Sequence, residues 1–252
     1  MAGLITYTYN LQDKGYDIMK IIILCGGKGV RAFPFTKYLP KPMLPLGGRP
    51  ILVHVIQSFI RQGFTSFIIA AGYRQCVLHD YFSGKDLGAK IDIVDTGEET
   101  DTGGRVYACR DLVGDEFMVT YSDGLCDVPL GKLVEFHRSH DGVATVTSVP
   151  MQSQYGILSL DPNGEVTELL EKPIIKDKWI NAGFIVFNRQ VFEHWQGENL
   201  EREVFPHLIS KNLLYGFQHT GFFKSMDSYK DLRDFEKLIE NGNVPWRVKD
   251  VT

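Results

Sequence analysis

The sequence has few cysteines and no long apolar run, and both shortages exclude classes of protein. Its four cysteines lie far apart with no CxxC pair, which excludes a zinc ribbon or the disulfide framework of a small secreted domain. No apolar run approaches the ~20 residues of a membrane span, and residues 1–18 lack the basic and apolar regions of a signal peptide. We therefore expect reduced thiols in a soluble, cytoplasmic protein with no membrane partner.

Positive charge is also in short supply. The chain carries 27 lysines and arginines against 31 aspartates and glutamates, a net charge of -4. Proteins that bind nucleic acid non-specifically present an excess of positive charge, so we expect no nucleic-acid partner. Any basic site for an anion has to be local.

Strand and helix patterns alternate along the first 150 residues. Short apolar or extended runs typical of buried strands lie at residues 20–25, 66–72, 90–97 and 116–124. Helical apolar spacing lies between and after them, at residues 49–63, 76–84, 104–113 and 130–142. This alternation predicts a mostly parallel sheet with helices on both faces.

The spacing of apolar residues changes after residues 144–150. Residues 155–173 alternate with period two around a turn signal at residues 161–164, which predicts a hairpin. A further strand at 179–188 and a helix at 228–242 complete the pattern. We predict an α/β fold, a Rossmann-like, doubly wound, mostly parallel mixed sheet with a small β appendage.

The chain shows no linker, repeat or low-complexity tract. Residues 1–18 have no clear period, and the first strand begins after Met19. We expect a poorly ordered N-terminal extension at 1–18 and a single domain at 19–252.

A glycine-rich and basic loop follows the first predicted strand. Residues 26–42 read GGKGVRAFPFTKYLPKP, so Gly26, Gly27 and Gly29 offer backbone amides that no Cβ shields. With Arg31 and Lys41 nearby, such a loop suits an anion. It matches neither GxxxxGK[ST] nor GxGxxG, and a tight turn remains the alternative interpretation.

Ligands of open α/β sheets bind beyond the carboxyl ends of the strands. The loops expected there bring further polar residues to the glycine loop, namely Thr102, Gly103, Gly104, Arg105 and Asp123. Amides and cations around a carboxylate favour a site for a polyphosphate and a hard divalent ion.

Two other chemistries have weaker support. His137 and His140 are three residues apart in a predicted helix, but no third metal ligand lies nearby in sequence, so we interpret them as a solvated helix C-terminus. The sequence has no GxSxG elbow, which argues against a serine hydrolase.

The loop and several later segments resemble a known family. GGKGVRAFPFTKYLPKPMLPLGGRPI is similar to the signature of the nucleoside-diphosphate-sugar pyrophosphorylases, a Gly-Gly-x-Gly-Thr-Arg loop followed by Pro-Lys-Pro. Further segments resemble those of glucose-1-phosphate cytidylyltransferases in order and separation, namely VDTGEETDTGGRV, VTYSDGLCDV, EKP, WINAGFIVFN and HTGFFKSMDSYKDL. The match covers about residues 19–246.

The resemblance implies an activity and its site residues. The reaction would join CTP and glucose 1-phosphate into CDP-glucose and diphosphate with Mg²⁺, for nucleotide-sugar and surface polysaccharide (lipopolysaccharide) biosynthesis, in a homo-oligomer. The implied catalytic residues are Arg31, Lys41 and Lys172, and the implied metal ligands are Asp123 and Asp227. The implied nucleotide-binding residues are Leu24, Gly26, Gly27, Gly29, Thr102, Gly103, Gly104, Arg105 and Ser122. The implied sugar-phosphate residues are Tyr155, Gly156, Glu171, Lys172, Asn181 and Gly183.

The chain departs from the family pattern in two places. Val30 stands where the family usually has threonine, which removes a hydroxyl contact to phosphate. Residues 81–95 form a shorter stretch than in typical cytidylyltransferases, whose insertion there contributes to the oligomer and the acceptor pocket.

Alternative functions remain open from the sequence. One is a sister enzyme that uses another nucleotide or another phosphorylated acceptor. Another is a catalytically silent module that binds nucleotide for regulation. Joint retention of Arg31, Lys41, Asp123, Lys172 and Asp227 argues against the silent module, because a fold without activity has no physical need for all five.

Overall fold

The computed structural model describes residues 19–29 and 35–247. The strands are β1 Lys20–Cys25, β2 Pro45–Leu46, β3 Arg49–Pro50, β4 Ser66–Ala71, β5 Lys90–Asp95, β6 Glu116–Tyr121, β7 Gly124–Cys126, β8 Ala144–Gln152, β9 Ile157–Leu160, β10 Val166–Leu170, β11 Ile174–Asn188, β12 Leu214–Gln218 and β13 Phe223–Ser225. The α-helices are α1 Ile51–Ile60, α2 Gln75–Phe82, α3 Thr102–Ala108, α4 Leu130–His137, α5 Phe205–Ser210 and α6 Tyr229–Glu240. None of the helices in these ranges is long and apolar enough to span a bilayer.

A seven-stranded mixed sheet in the order β12-β8-β11-β6-β1-β4-β5 forms the centre of the described fold. Strand β1 pairs in parallel with β4 and β6, β4 with β5, and β8 with β12. Only β11 runs antiparallel to both of its neighbours, β6 and β8. The predicted Rossmann-like, mostly parallel mixed sheet is confirmed.

Alternate residues of β1 enter two separate cores. Ile21 and Ile23 pack in the cluster that contains α1, whereas Ile22 and Leu24 pack in the cluster that contains Val106 of α3. Because successive strand side chains point to opposite faces, both faces of the sheet are covered. This explains why β1 reads as a continuous apolar run rather than an alternating one.

The predicted β appendage is present as the hairpin of β9 and β10. Its turn follows from local chemistry, because the carboxylate of Asp161 accepts hydrogen bonds from the backbone N–H groups of Asn163 and Glu165. Gly164 supplies the positive φ, +89°, that the turn requires. The first half of β11 continues from this hairpin and pairs with the end of β8.

A second small sheet, which the sequence patterns do not predict, lies beside the carboxyl end of β6. Here β7 pairs with β13 over three residues, and the Met226 N–H donates to the Asp123 carbonyl at 2.9 Å. This pairing brings the segment after β13 alongside the segment after β6, although the two are about 100 residues apart in sequence.

The interpretation of His137 and His140 as a solvated helix end is wrong for His137, whereas His140 is partly exposed. His137 is buried, and both imidazoles lie within hydrogen-bonding distance of the Thr145 hydroxyl. His140 also stacks on Tyr215, with ring centroids 3.9 Å apart. The helix ends against β8 and β12, so His137 becomes part of a buried hydrogen-bonded pair with Thr145 rather than of a hydrated surface.

His137 predicts a pH dependence of stability. Burial is the main cause that lowers the pKa of its imidazole to about 4, against about 6.5 in the unfolded chain. Between these values the unfolded chain binds the proton and the folded chain does not, so stability falls as pH drops from about 6.5 towards 4. We expect this residue to cost about 2 kcal/mol at pH 5 relative to pH 8.

Urea unfolding of the wild type and of His137→Gln at pH 5 and pH 8 checks this expectation. The wild type should lose about 2 kcal/mol more than the variant between the two pH values. Equal losses in the two proteins would assign the dependence to other groups, such as His54, whose pKa burial also lowers.

Candidate active site

An open crevice of about 230 Å³ lies at the carboxyl ends of β1 and β6. It is lined by Leu24, Cys25, Gly26, Gly27, Gly29, Lys41, Pro42, Thr100, Asp101, Thr102, Arg105, Tyr121, Ser122 and Asp123. Eight of the predicted nucleotide and metal residues, all but Gly103, Gly104 and Asp227, are therefore in its wall. This is the edge at which open α/β sheets bind ligands.

One ammonium group holds two carboxylates at the crevice. Lys41 Nζ lies 2.5 Å from Asp123 Oδ2 and 2.9 Å from Asp227 Oδ1. Lys41 is buried, whereas both aspartates are partly exposed. The three residues come from distant parts of the sequence, and the structure brings their side chains together.

Each member of this triad is positioned by its own element. Lys41 lies in a short 3₁₀ turn, Lys41–Met43, that begins after Pro40. Asp123 follows the end of β6, and Asp227 follows β13, where the Ser225 hydroxyl donates to Asp227 Oδ2 at 2.8 Å. The pairing of β7 with β13 sets the distance between the two carboxylates.

At Gly26 and Gly29 the glycine loop approaches its neighbours too closely for a side chain. A Cβ at Gly26 would overlap the guanidinium of Arg105, and one at Gly29 would lie 2.9 Å from the Cβ of Lys41. Gly29 also has φ +61°, which favours glycine. A Cβ at Gly27 would meet no atom within 4 Å, and Gly27 is part of the crevice wall.

Arg105 is buried beneath this loop. Its guanidinium donates to the carbonyls of Ala71, Gly97 and Glu98 and to the Thr96 hydroxyl. Burial lowers the pKa of this guanidinium, and four acceptors compensate for the lost hydration. The structure thus gives Arg105 a positioning role that ties α3 to the ends of β4 and β5, and its contact with a nucleotide stays a prediction.

Gly26→Ala is expected to destabilise the fold by about 1–3 kcal/mol, the usual cost of overpacking. The new methyl can be accommodated only if Arg105 moves and gives up buried hydrogen bonds. Gly27→Ala is the matched control, because the added Cβ meets no atom within 4 Å. Thermal and urea unfolding of both variants measure the difference, and equal stability would show that Arg105 relocates without cost.

Gly103 and Gly104 pack against the segment that precedes a π-helix, Leu200–Val204. The Gly104 N–H donates to the Glu198 carbonyl at 2.9 Å, and a Cβ at Gly103 would lie 2.8 Å from the same oxygen. This close approach accounts for both glycines without a ligand. Their contact with the nucleotide also stays a prediction.

Glu201 and Tyr121 are residues of the site that the sequence did not single out. The Tyr121 hydroxyl donates to the Glu201 carboxylate, and the Thr102 hydroxyl lies 3.3 Å from its other oxygen. Tyr121 also covers Gly183, whose φ is +78° and whose added Cβ would overlap the tyrosine ring. Tyr121 could have been found from the sequence, because it ends a buried strand two residues before Asp123. Glu201 has no such signal in the sequence.

The predicted sugar-phosphate residues lie on the appendage and β11. Tyr155 and Lys172 are exposed, Gly156 lies against the Glu171 carboxylate, and Asn181 Oδ1 accepts from the Gly183 N–H. Lys172 Nζ lies 3.5 Å from Glu171. Gly183 is in contact with a residue of the crevice wall, Tyr121, whereas the Lys172 ammonium pairs within the appendage.

Arg31 and Val30 lie outside the described residues. The triphosphate contact predicted for Arg31 and the missing hydroxyl at Val30 therefore stay predictions. Another cation of the loop, Lys28, pairs with Glu98 at 3.6 Å and with Glu99 at 2.5 Å. These pairs connect the glycine loop to the loop after β5.

The chain is similar to known nucleotidyltransferases over most of its length. The family model described as nucleotidyl transferase matches residues 20–240. Over 255 aligned positions the chain is 32% identical to the probable glucose-1-phosphate cytidylyltransferase of Bacillus subtilis, with 91% of this chain and 100% of that protein covered. It is 33% identical to the mannose-1-phosphate guanylyltransferase catalytic subunit beta of Dictyostelium discoideum, with 84% of this chain and 62% of that protein covered.

Solved structures show the same fold. The crystal structure of HddC from Yersinia pseudotuberculosis in complex with GMP-PN superposes with a TM-score of 0.69 at 22% identity, covering 88% of this chain and 99% of that one. The match of the family model over most of the sequence, together with a full-length relative above 30% identity, establishes the family. The chain belongs to the nucleotidyl transferase family, among the sugar-1-phosphate nucleotidyltransferases.

Proposed function

We propose that the chain transfers a cytidylyl group from CTP to glucose 1-phosphate and releases diphosphate. The main observation in support of this proposal is that Lys41 forms ion pairs with Asp123 and Asp227 beside a crevice lined by the glycine loop. The choice of CTP and glucose 1-phosphate is supported by the relatives named for that activity, which this chain matches over their whole length.

The chemistry requires positioning rather than a strong base. A sugar 1-phosphate is mostly dianionic near neutral pH, because its second pKa is about 6. One of its oxygens forms a bond to the α-phosphorus of the nucleotide while the bond from that phosphorus to the bridging oxygen of the diphosphate breaks. The protein has to hold two anions in line and stabilise the charge that develops.

The residues of the crevice can meet these needs. Three glycines of the loop line the crevice proposed for the triphosphate, and Lys41 lines the same crevice, where its ammonium would neutralise charge on the α-phosphate. Arg105 connects α3 to the ends of β4 and β5 through its hydrogen bonds in the wall of this crevice. Nothing in this arrangement requires a proton to move, which fits a crevice wall of glycines, hydroxyls, carboxylates and buried cations.

Asp123 and Asp227 fit a divalent cation of the Mg²⁺ type. They supply carboxylate oxygens, the ligands that Mg²⁺ prefers, and a cation, the Lys41 ammonium, already lies between them. Bound there, Mg²⁺ would neutralise charge on the phosphates of the nucleotide. We propose that these two carboxylates hold it.

Lys172→Ala is expected to raise the KM for sugar 1-phosphate far more than the KM for nucleotide. Lys172 has φ +47°, an unusual backbone for lysine, at the end of the hairpin that we propose covers the sugar. Losing a charge-assisted contact costs about 1.5–3 kcal/mol, which corresponds to about tenfold or more in binding. Lys176→Ala, an exposed lysine four residues further on, is the control, and equal effects on both substrates would place Lys172 outside the sugar site.

A diphosphate-release assay tests the proposed substrates. Each of CTP, GTP, UTP and dTTP is paired with glucose 1-phosphate and with mannose 1-phosphate. We expect the highest kcat/KM for CTP with glucose 1-phosphate. Preference for GTP with mannose 1-phosphate would assign the chain to the activity of its other relatives, and no turnover with any pair would support the silent regulatory module.

A further inference from the structure

A sulfur, an oxygen and a nitrogen atom lie close together outside the wall of the active-site crevice. Cys126 ends β7, Asp127 follows it, and His219 follows β12. The sulfur of Cys126, a carboxylate oxygen of Asp127 and a ring nitrogen of His219 all lie within 4.8 Å of one another. His219 Nε2 is 2.7 Å from Asp127 Oδ1. These three residues form the Cys-Asp-His cluster.

Backbone contacts position the cluster. The His219 N–H donates to the Ser148 carbonyl of β8 at 2.8 Å, and the Asp127 N–H donates to the Phe222 carbonyl at 3.1 Å. A Cβ at Gly221 would overlap Asp127 Oδ1 and lie 2.6 Å from His219 Cε1. The chain can therefore pass this close to both donor atoms only as glycine, and the donors are held by the fold rather than by flexible surface side chains.

Burial and donor type distinguish this cluster from an ordinary surface ion pair. Cys126 is 1% exposed, and the side chains of His219 and Asp127 are 11% and 32% exposed. Thiolate and imidazole are ligands of zinc-type cations, whereas Mg²⁺ prefers oxygen ligands. One thiolate and one carboxylate also supply the two negative charges that balance a divalent cation in a place that is mostly shielded from water.

We propose that the Cys-Asp-His cluster binds a zinc-type divalent cation, with water as the fourth ligand. Zinc lies about 2.0–2.3 Å from such donors, so that donors around one ion are about 3–4 Å apart, and shifts of about an ångström bring the three atoms onto the ion. The partly exposed Asp127 carboxylate leaves a path for the ion and its water. This site differs in chemistry from the pair of Asp123 and Asp227, which offers oxygen alone.

Binding releases a proton from the cluster. In the free protein burial raises the pKa of the Cys126 thiol to about 12, although hydrogen bonds from the backbone at Val128 and Asp127 act in the opposite direction. The thiol therefore keeps its proton until the bond between sulfur and metal forms, and the proton then goes to solvent. At His219 the metal binds Nε2, and the neutral imidazole carries its proton on Nδ1. The same backbone groups then stabilise the metal-bound thiolate.

The cluster lies at the end of the β7–β13 pair that is farther from the active site. Cys126 is opposite Phe223, whereas Gly124, the residue after Asp123, is opposite Ser225 at the other end. A cation in the cluster joins the end of β7 to the segment that leads into β13. It therefore stabilises the strand pair that sets the distance between the two active-site carboxylates.

Binding of Co²⁺ to the full chain tests the proposal, because a thiolate ligand gives Co²⁺ a strong near-ultraviolet charge-transfer band that oxygen and nitrogen ligands do not give. We expect this band in the wild type, and we expect Zn²⁺ to displace Co²⁺ and abolish it. Cys126→Ser should lack the band, and His219→Gln should need about tenfold more Co²⁺ or higher to produce it. Cys76→Ser is the matched control, since Cys76 is an exposed thiol on α2, and it should keep the band.

Circular dichroism establishes that each variant is folded. Zn²⁺ should raise the Tm of the wild type and of Cys76→Ser more than that of Cys126→Ser. A wild type without a thiolate band in excess Co²⁺ would overturn the proposal. A band that persists unchanged in folded Cys126→Ser would also overturn it, because another thiol would then bind the metal. Should Cys126→Ser not fold, His219→Gln decides, since it preserves the thiol, and an unchanged affinity for Co²⁺ in that variant would contradict the site.

Discussion

Asp123→Asn is expected to lower kcat by about 10²-fold or more, the cost of losing one strong electrostatic stabiliser in an active site. The substitution preserves the shape of the side chain and removes the charge that faces Lys41 at 2.5 Å. It also removes one of the two carboxylates that we propose hold Mg²⁺. Steady-state diphosphate release at saturating nucleotide and sugar phosphate measures the effect.

Asp111→Asn is the control for this result. Asp111 is an exposed carboxylate in a 3₁₀ turn, Arg110–Leu112, before β6 begins, and it pairs only with surface arginines among the described contacts. It should retain wild-type turnover. If Asp123→Asn is folded and keeps more than about a tenth of the activity, the carboxylate pair is not the centre of the reaction.

Lys41→Met is expected to lower kcat by a similar factor and to raise the affinity of the free enzyme for a divalent cation. In the structure the ammonium lies between the two carboxylates, so a cation has to displace it. A charge-assisted hydrogen bond contributes about 1.5–3 kcal/mol, and its removal should tighten cation binding by about tenfold or more. Calorimetric titration with Mg²⁺ or Mn²⁺ in the absence of nucleotide measures the affinity.

Lys37→Met provides the matched comparison. Lys37 is an exposed lysine four residues before Lys41 and should change neither activity nor cation affinity. Weaker cation binding in Lys41→Met, with the fold preserved, would mean that the lysine organises the carboxylates for the cation rather than competing with it. Loss of turnover without any change in affinity would place the cation away from this pair.

The sequence predicted those parts of the fold that have a period or a turn signal. The runs that became β1, β4 and β6 are buried on both faces and long enough to recognise, and the hairpin turn has its own local chemistry at Asp161 and Gly164. Because ligands of open α/β sheets bind at the carboxyl ends of the strands, the sequence predicted that the glycine loop after β1 lies near Asp123 after β6. The structure has both in the wall of one crevice. Asp227 was predicted from the resemblance to the nucleotidyltransferase family and not from a period or a turn signal.

The remaining contacts have no local signature. The strands β7 and β13 have three residues each, too few to show a period, yet they bring Asp227 to Lys41. Glu198, which closely approaches Gly103 and Gly104, lies in the segment before a π-helix, Leu200–Val204, and no propensity predicts such a helix. His137 was placed in water because polar residues follow it at the end of its helix, whereas Thr145 of β8 lies against it in space.

The order of strands in the sheet has a consequence for how the chain folds during synthesis. Strand β1 is synthesised before the other strands, but its Ile21 pairs with Met118 of β6. Strand β6 pairs in turn with β11, where Phe187 lies opposite Phe117. Until these later strands leave the ribosome, β1 has one unpaired apolar edge of the kind that associates with other chains. Because such long-range parallel pairing is slow, we expect part of the protein to aggregate when it refolds at high protein concentration. During synthesis, we expect slower translation, or a chaperone bound to the first half of the chain, to increase the yield of folded protein.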